Sequence, residues 1–122
     1  QRIQRLVGLA LTCEAGRWIL SAQTEAASEL ALSRLEGGEC KTYVIDRIFV
    51  DEETNLRWII DFKTSQPGEG ETIAAFEARE SEAHQSQLAR YAELVREVKW
   101  GRDVPVRTAL YFPAIQRLAV LK

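Results

Sequence analysis

The fold of this chain is decided by two short apolar runs, VIDR at residues 44–47 and WIIDFKTS at residues 58–65. Both runs are rich in the β-branched and aromatic residues that favour strands. Each also carries one aspartate, Asp46 or Asp61, where a buried strand normally carries an apolar side chain. Two aspartates inside a sheet need a partner that offsets their charge.

A hairpin that turns at residues 53–54 would place Asp46 opposite Asp61. Directly opposed residues on one sheet face have Cβ atoms about 4.5–5.5 Å apart. Two carboxylates that close repel each other, and ionised groups in an apolar setting are costly unless they are paired or bind a metal. Lys63 shares a face with Asp61, because side chains alternate along a strand. The pattern predicts a divalent metal site beside a fixed ammonium, which suits hydrolysis of a phosphodiester.

The predicted metal is Mg²⁺ or Mn²⁺, because both ions prefer hard oxygen ligands. We expect Asp46 and Asp61 to bind it, with the backbone carbonyl of Phe62 as a third ligand. Such an ion polarises the scissile phosphate and lowers the pKa of a bound water. Lys63 would orient that water and offset charge in the transition state. Two alternatives stay open: one metal ion or two, and a simpler role for Asp46 as an ordinary surface residue, with Arg47 paired with an acid.

Length and composition limit the class of protein. The 122 residues suit one domain over 1–122, and 46% hydrophobic with 28% charged residues is typical of a soluble globular protein. The chain starts at Gln1 and contains no Met, so we expect a fragment of a larger protein. The net charge of −2 argues against a free-standing, non-specific nucleic-acid binder but is compatible with a nuclease.

Targeting signals and cysteine usage favour a cytoplasmic protein. No apolar run reaches the length of a membrane span, and no signal peptide opens the chain. Cys13 and Cys40 are therefore expected to be reduced thiols. Two cysteines and one histidine are too few for a structural zinc site or an iron–sulfur cluster by themselves.

Hydrophobic spacing predicts the order α-β-β-β-α-β, an α/β domain with a mixed, mostly antiparallel central sheet flanked by helices. The paired glycines at 37–38 indicate a tight turn between the first two strands. The predicted elements are a helix over 1–20, strands over 28–35, 40–50 and 56–64, a loop over 65–71, a helix over 72–100 with a potential break near 79–82, a strand over 106–112 and an edge strand over 116–121.

Several motifs of this chain resemble those of a known family. Asp46 matches the first acid, and Asp61-Phe62-Lys63 the D-x-K element, of the PD-(D/E)XK nuclease superfamily. The runs QLARY at 87–91 and LYFP at 110–113 narrow the likeness. Together these motifs are similar to the C-terminal nuclease domain of RecB/AddA-type helicase–nucleases of the UvrD/Rep family. The resemblance covers about residues 18–121.

The resemblance implies a restriction-endonuclease-like core and a Mg²⁺-dependent DNA exonuclease. Such a domain belongs to an ATP-dependent helicase–nuclease that acts in double-strand break repair by recombination. The implied partners are DNA, helicase domains of the same parent chain and a second helicase–nuclease subunit; ATP would bind only in the helicase part. No iron–sulfur cluster and no membrane are expected. The implied location is the bacterial cytoplasm, at the nucleoid when acting.

Further site residues follow from the same resemblance. Gln87 and Tyr91 correspond to a Q-x-x-x-Y motif, and being four apart they share a helix face, where they would contact DNA or orient the catalytic lysine. Glu29, near the start of the first strand, is expected to be a solvated glutamate, and the resemblance offers a supporting role in metal binding as the alternative. Many relatives carry a metal-binding histidine upstream of the first strand. The only histidine here is His84, so the expected one is lost or lies before the chain.

Two rival functions stay open at this stage. One is a catalytically inactive PD-(D/E)XK domain that serves DNA binding or scaffolding. The other is a stand-alone structure-specific or restriction-type endonuclease. Four further acids are predicted to be solvated helix charges, namely Glu25, Glu77, Glu80 and Glu82.

Overall fold

The two aspartate-bearing runs pair as an antiparallel hairpin at the centre of a sheet. The computed structural model describes residues 14–121. Within them, the predicted order of helix, three strands, helix and strand is confirmed, and the edge strand follows. The elements are α1 (Glu14–Leu20), β1 (Thr24–Glu36), β2 (Glu39–Asp51), β3 (Leu56–Phe62), α2 (Ile73–Glu97), β4 (Val106–Phe112), a 3₁₀ turn (Pro113–Ile115) and β5 (Arg117–Leu121).

The described strands form one mixed sheet in the order β1-β2-β3-β4-β5. The first three make the predicted antiparallel meander, β3 and β4 are parallel, and β4 and β5 are antiparallel. Parallel neighbours need a long crossover, and α2 supplies it between β3 and β4. The chain is therefore an α/β protein with a mixed sheet flanked by helices.

Each face of the sheet is covered by an apolar cluster, so β3 and β4 are buried on both sides. This double burial accounts for the near-continuous apolar sequence of both strands. The α2-side cluster contains Ile45, Ile48, Ile59, Phe76, Leu88, Tyr91, Ala92, Val95, Leu110, Phe112 and Ala119. The α1-side cluster contains Ile19, Phe49, Ile60, Phe62, Ala109 and Tyr111, with Trp18 and Trp58 packed against it.

The long helix α2 is continuous, and the break considered near residues 79–82 is absent. Thr72 caps its N-terminus, since the Thr72 hydroxyl accepts a hydrogen bond of 3.1 Å from the Ala75 N–H. The stretch 77–82 consists mainly of Glu, Ala and Arg, which are good helix formers. Phe76 and Glu80, one turn apart, are both buried. Local propensity and packing therefore agree in keeping the helix intact.

The first strand is longer than its sequence predicts. It begins at Thr24 instead of Ser28, because Thr24 pairs with Val50 beyond an irregularity in the ladder. Glu25 lies at this irregularity with a φ of 46°, a left-handed conformation that marks a bulge. The other boundaries differ only at their ends. The predicted helix over 1–20 is helical from Glu14 to Leu20, and its earlier part lies outside the described residues.

The β1–β2 hairpin has a local distortion next to Asp46, which we call the bend. Ile45 and Ile48 are an odd number of residues apart, yet both pack in the α2-side cluster. Strict alternation would send them to opposite faces. On the partner strand, Glu29 adopts a φ of 53° between the pairs Ser28–Arg47 and Leu30–Ile45. The alternation of side chains between the two sheet faces is therefore interrupted in both strands at the same level.

Beyond the bend, the distal hairpin (residues 30–45) packs against the second half of α2. Arg34 Nη1 lies 2.8 Å from Glu93 Oε1 and 3.1 Å from Glu97 Oε1. The rings of Tyr43 and Tyr91 meet edge to face, with centroids 6.5 Å apart. The second half of α2 therefore packs against both the sheet and the distal hairpin.

Candidate active site

The register of the central hairpin is the predicted one. Its ladder runs from Arg47–Ile60 to Asp51–Leu56, so its centre lies between residues 53 and 54. Asp46 and Asp61 occupy the next position beyond the last pair of the ladder. Asp46 is 8% exposed and Asp61 is 5% exposed. The hairpin therefore brings two buried aspartates to neighbouring positions on adjacent strands.

Asp46 is fixed by the backbone of the neighbouring strand. Its Oδ2 atom accepts a hydrogen bond of 2.8 Å from the Phe62 N–H. A strand N–H at this position would ordinarily find a carbonyl of the partner strand, and here the carboxylate takes that role. The regular β2–β3 ladder ends at the pair Arg47–Ile60, one position before this hydrogen bond. This hydrogen bond satisfies one oxygen of the buried aspartate.

The hydrogen bonds of Arg47 run to two backbone carbonyls and one hydroxyl, and its predicted pairing with an acid stays a prediction. Its guanidinium donates to the carbonyl of Ile19 at 2.9 Å, to the carbonyl of Ser21 at 3.1 Å and to the hydroxyl of Ser28 at 3.1 Å. Burial lowers the pKa of Arg47. Its role is to attach α1 and β1 to β2, on the sheet face opposite α2.

Asp61 carries the lysine that its sequence predicts. Lys63 Nζ lies 2.7 Å from Asp61 Oδ2, and the two side chains are 18% and 7% exposed. Alternation from Ile59, a member of the α2-side cluster, puts both on the face that α2 covers. Asp61 Oδ2 nevertheless receives no hydrogen bond of acceptable geometry from the described residues. The ammonium neutralises this oxygen electrostatically but leaves it open to a further positive ligand.

Gln87 and Tyr91 contact each other on α2, as expected for residues four apart. Gln87 Nε2 donates a 3.0 Å hydrogen bond to the Tyr91 hydroxyl. Tyr91 is buried and Gln87 is partly exposed. Both positions face the sheet, since Tyr91 and the adjacent Leu88 belong to the α2-side cluster. The predicted contact with DNA or with the catalytic lysine stays a prediction.

Two other predicted participants have mixed outcomes. Glu29 lies inside β1 rather than at its start, opposite the Asp46 level, and its residue is exposed. Its exposure agrees with the expected solvated glutamate, although its strand position is close to the site. Phe62 sends its ring into the α1-side cluster, and its carbonyl as a metal ligand stays a prediction.

Three acids that were predicted to be solvated are engaged with neighbours instead, and one of them, Glu77, accepts a 3.0 Å hydrogen bond from Arg117 Nε. Glu80 is only 6% exposed, and Glu25 accepts a 2.6 Å hydrogen bond from Arg57. For Glu80 the signal was present in the sequence. It follows the buried Phe76 by four residues and precedes the buried Leu88 by eight, so it lies on the apolar stripe of α2.

The loop after Lys63 is fastened to α2 by Glu71. Its Oε1 accepts a 2.8 Å hydrogen bond from the Gly68 N–H and a 2.9 Å bond from Arg79 Nη2, and its Oε2 accepts a 3.0 Å bond from Arg79 Nε. The hydrogen bonds from Arg79 and Gly68 lower the pKa of Glu71 to about 2. This anchor sets the path of the loop that leaves the candidate site.

Glu71 should make the stability of the chain depend on acid. Because its folded-state pKa of about 2 lies below its ordinary value of 4.5, the anchor stabilises the fold above about pH 4.5 and is lost as the pH falls towards 2. We expect Glu71→Gln to lower the urea midpoint at pH 7 and to approach the wild-type midpoint at pH 3. Glu69→Gln, at an exposed position of the same loop, should match wild type at both values. A deficit for Glu71→Gln that is equal at pH 7 and pH 3 would contradict this assignment.

The donor set at the centre of the site consists of two carboxylates. Among residues 14–121 there is no group of three or more His, Cys, Asp or Glu side chains arranged to hold a metal ion. Mg²⁺ commonly uses one or two carboxylates and keeps several waters, so Asp46 and Asp61 fit such an ion, with Asp61 Oδ2 as the oxygen that lacks a hydrogen bond.

Comparison with known proteins adds no family assignment. No protein-family model matches the chain, and no curated protein matches it either. Among the helices of residues 14–121, none is long and apolar enough to cross a membrane.

Proposed function

We propose that this chain is a metal-dependent DNA nuclease domain with a restriction-endonuclease-like site. The observation that carries the proposal is the pair of buried aspartates, Asp46 and Asp61, at one level of the central hairpin, with Lys63 Nζ 2.7 Å from Asp61 Oδ2. A sheet has no structural need for such a group. Replacing charged groups in a core by apolar ones of similar size is often neutral or stabilising.

Asp46 and Asp61 would hold the ion, with the backbone carbonyl of Phe62 as a third ligand. A bound Mg²⁺ or Mn²⁺ would supply Lewis acidity towards a phosphate oxygen and a more acidic water. The hydrogen bond from the Phe62 N–H holds Asp46 in one orientation at 2.8 Å. The chain therefore contributes a carboxylate pair whose position is set before any ligand arrives.

Lys63 serves the phosphate side of the reaction. Hydrolysis forms a bond between a water oxygen and phosphorus, breaks the bond from phosphorus to the leaving sugar oxygen, and passes a proton to that oxygen. The Lys63 ammonium, 18% exposed, can donate to the attacking water or to a phosphate oxygen on which negative charge grows. The hydrogen-bonded Gln87 and Tyr91 supply polar groups on the helix face above the sheet.

The wider setting rests on the resemblance to RecB/AddA-type nuclease domains. By that resemblance the domain degrades DNA fed to it by helicase domains of a longer chain, in recombinational repair of double-strand breaks. The helicase part would bind ATP. The rival function is an inactive domain that only binds DNA or other domains, and experiment must distinguish it from an active nuclease.

Lys63→Gln tests the proposal, because it separates catalysis from metal binding. We expect metal affinity within about threefold of wild type and a loss of about 10²–10³ in the rate of DNA cleavage, the usual effect of removing one transition-state donor. Metal affinity is measured by Mn²⁺ titration calorimetry and cleavage with end-labelled single-stranded and duplex DNA. Lys99→Gln, at an exposed position beyond the far end of α2, is the control and should cleave as wild type does.

The outcomes are distinct. A Lys63→Gln variant that cleaves normally would contradict the role of the lysine. A wild-type chain that binds DNA but does not cleave it with Mn²⁺ or Mg²⁺ would support the inactive alternative instead.

A further inference from the structure

Glu80 and His84 form a polar pair on α2 that the proposed nuclease site does not use. Glu80 is 6% exposed, although it lies on a helix whose other acids reach solvent. His84 is one turn further along, and its side chain is 28% exposed. The pair therefore has one buried carboxylate and one imidazole that solvent can reach.

The Glu80 carboxylate is only half satisfied. Its Oε2 lies 2.9 Å from Arg79 Nη1, while its Oε1 has no hydrogen-bond partner among the described residues. Arg79 is shared, because its other nitrogens bind Glu71. A buried oxygen without a partner is costly unless something else satisfies it.

His84 lies beside that oxygen, at a distance that suits two ligands of one metal ion better than a direct hydrogen bond. Glu80 Oε1 and His84 Nε2 are 3.6 Å apart, longer than an ordinary N–H···O hydrogen bond. Two ligands of one tetrahedral ion, each about 2.0–2.2 Å from the metal, are about 3.3–3.6 Å apart. The i, i+4 spacing is the one that puts two ligands of a helix on a single metal ion.

We propose that Glu80 and His84 form a second divalent-cation site, selective for Zn²⁺ or a similar transition metal. An imidazole nitrogen with a carboxylate oxygen suits such ions better than Mg²⁺, which strongly prefers oxygen. The hydrogen bond from Arg79 to the second oxygen orients the carboxylate, as outer partners of metal ligands usually do. Water reaches the partly exposed His84 and completes the coordination. The site is independent of the proposed nuclease chemistry.

The test follows the single histidine of the sequence by NMR during a Zn²⁺ titration of the whole chain. Because His84 is the only histidine, its imidazole ¹⁵N signals report this site without ambiguity in an untagged protein. We expect Zn²⁺ to shift His84 Nε2 as a bound nitrogen, and Glu80→Gln to raise the half-saturating Zn²⁺ concentration by about tenfold or more. Glu82→Gln removes the same charge at an exposed position of α2 and should leave the titration unchanged.

Each contrary result overturns the proposal. Saturating Zn²⁺ that leaves the His84 signals unmoved would do so, as would an unchanged half-saturation in Glu80→Gln. An Asp61→Asn variant that abolishes the His84 response would assign the ion to the nuclease site; we expect the response to persist. If Glu80→Gln does not fold, His84→Gln takes its place. That variant should lose one equivalent of bound Zn²⁺ by calorimetry, and wild-type stoichiometry would refute the site.

Discussion

Asp61→Asn should reduce metal-dependent DNA cleavage by about a thousandfold or more while the chain stays folded. Asp61 is one of two buried carboxylates at the level where the central hairpin ladder ends. The amide carries no charge to hold a divalent ion, so the variant loses both the ion and the transition-state stabilisation that the ion provides. We expect Mn²⁺ binding at this site to disappear in calorimetry together with the activity.

The fold should survive this substitution because the amide is nearly the same size and keeps an oxygen beside Lys63, whose Nζ lies 2.7 Å from Asp61 Oδ2. Removing one of two neighbouring carboxylates also relieves repulsion towards Asp46. We expect the free energy of unfolding to change by no more than about 1–2 kcal/mol. Asp103→Asn, in an exposed loop position, is the matched control. Cleavage by Asp61→Asn within tenfold of wild type would remove the basis of the proposed function.

The core of the candidate site could be predicted from the sequence because it depends on local rules. Strand alternation and a turn at residues 53–54 determine which residues face each other, and the observed register is the predicted one. The same alternation puts Lys63 beside Asp61. Helix spacing likewise brings Gln87 to the Tyr91 hydroxyl. Each of these contacts joins residues of one strand pair or of one helix.

Other features depended on contacts between distant segments, and the sequence alone did not reveal them. The bend at Glu29 and Asp46 requires two strands to lose their alternation together, and neither sequence shows it. Glu80 belongs to the apolar stripe of α2, but its charge predicts an exposed position. Its burial depends on how α2 packs on the sheet, which the helix sequence alone does not show. The clearest case is Arg57, a basic residue that lies fully inside the protein.

Arg57 joins three separate parts of the chain at the start of β3. It is 1% exposed. Its Nη2 donates to Glu25 Oε1 at 2.6 Å and to the Arg102 carbonyl at 2.9 Å, and its guanidinium lies 5.1 Å from the centre of the Trp100 ring. Gly101 has a φ of 73°, and a Cβ there would lie 2.7 Å from Arg57 Nη2. The absence of a side chain at Gly101 therefore leaves room for the guanidinium.

Arg57→Ala should destabilise the fold by about 3 kcal/mol or more, because it leaves the Glu25 carboxylate without its main partner and opens a cavity under Trp100. The Arg57 hydrogen bond is also the largest cause of the lowered pKa of Glu25, so that pKa should rise in the variant. Urea unfolding measures the first effect, and a loss below about 1 kcal/mol would contradict it. Arg107→Ala, exposed on β4, is the control.

Arg57→Ala also separates stability from chemistry. Arg57 precedes Asp61 by four residues, about 13 Å along an extended strand, and its contacts with Glu25, Trp100 and Arg102 involve none of the proposed catalytic groups. Below its unfolding temperature the variant should therefore cleave DNA at nearly the wild-type rate, whereas Asp61→Asn should be stable and inactive. A loss of cleavage by folded Arg57→Ala would show instead that the start of β3 controls the geometry of the site at its end.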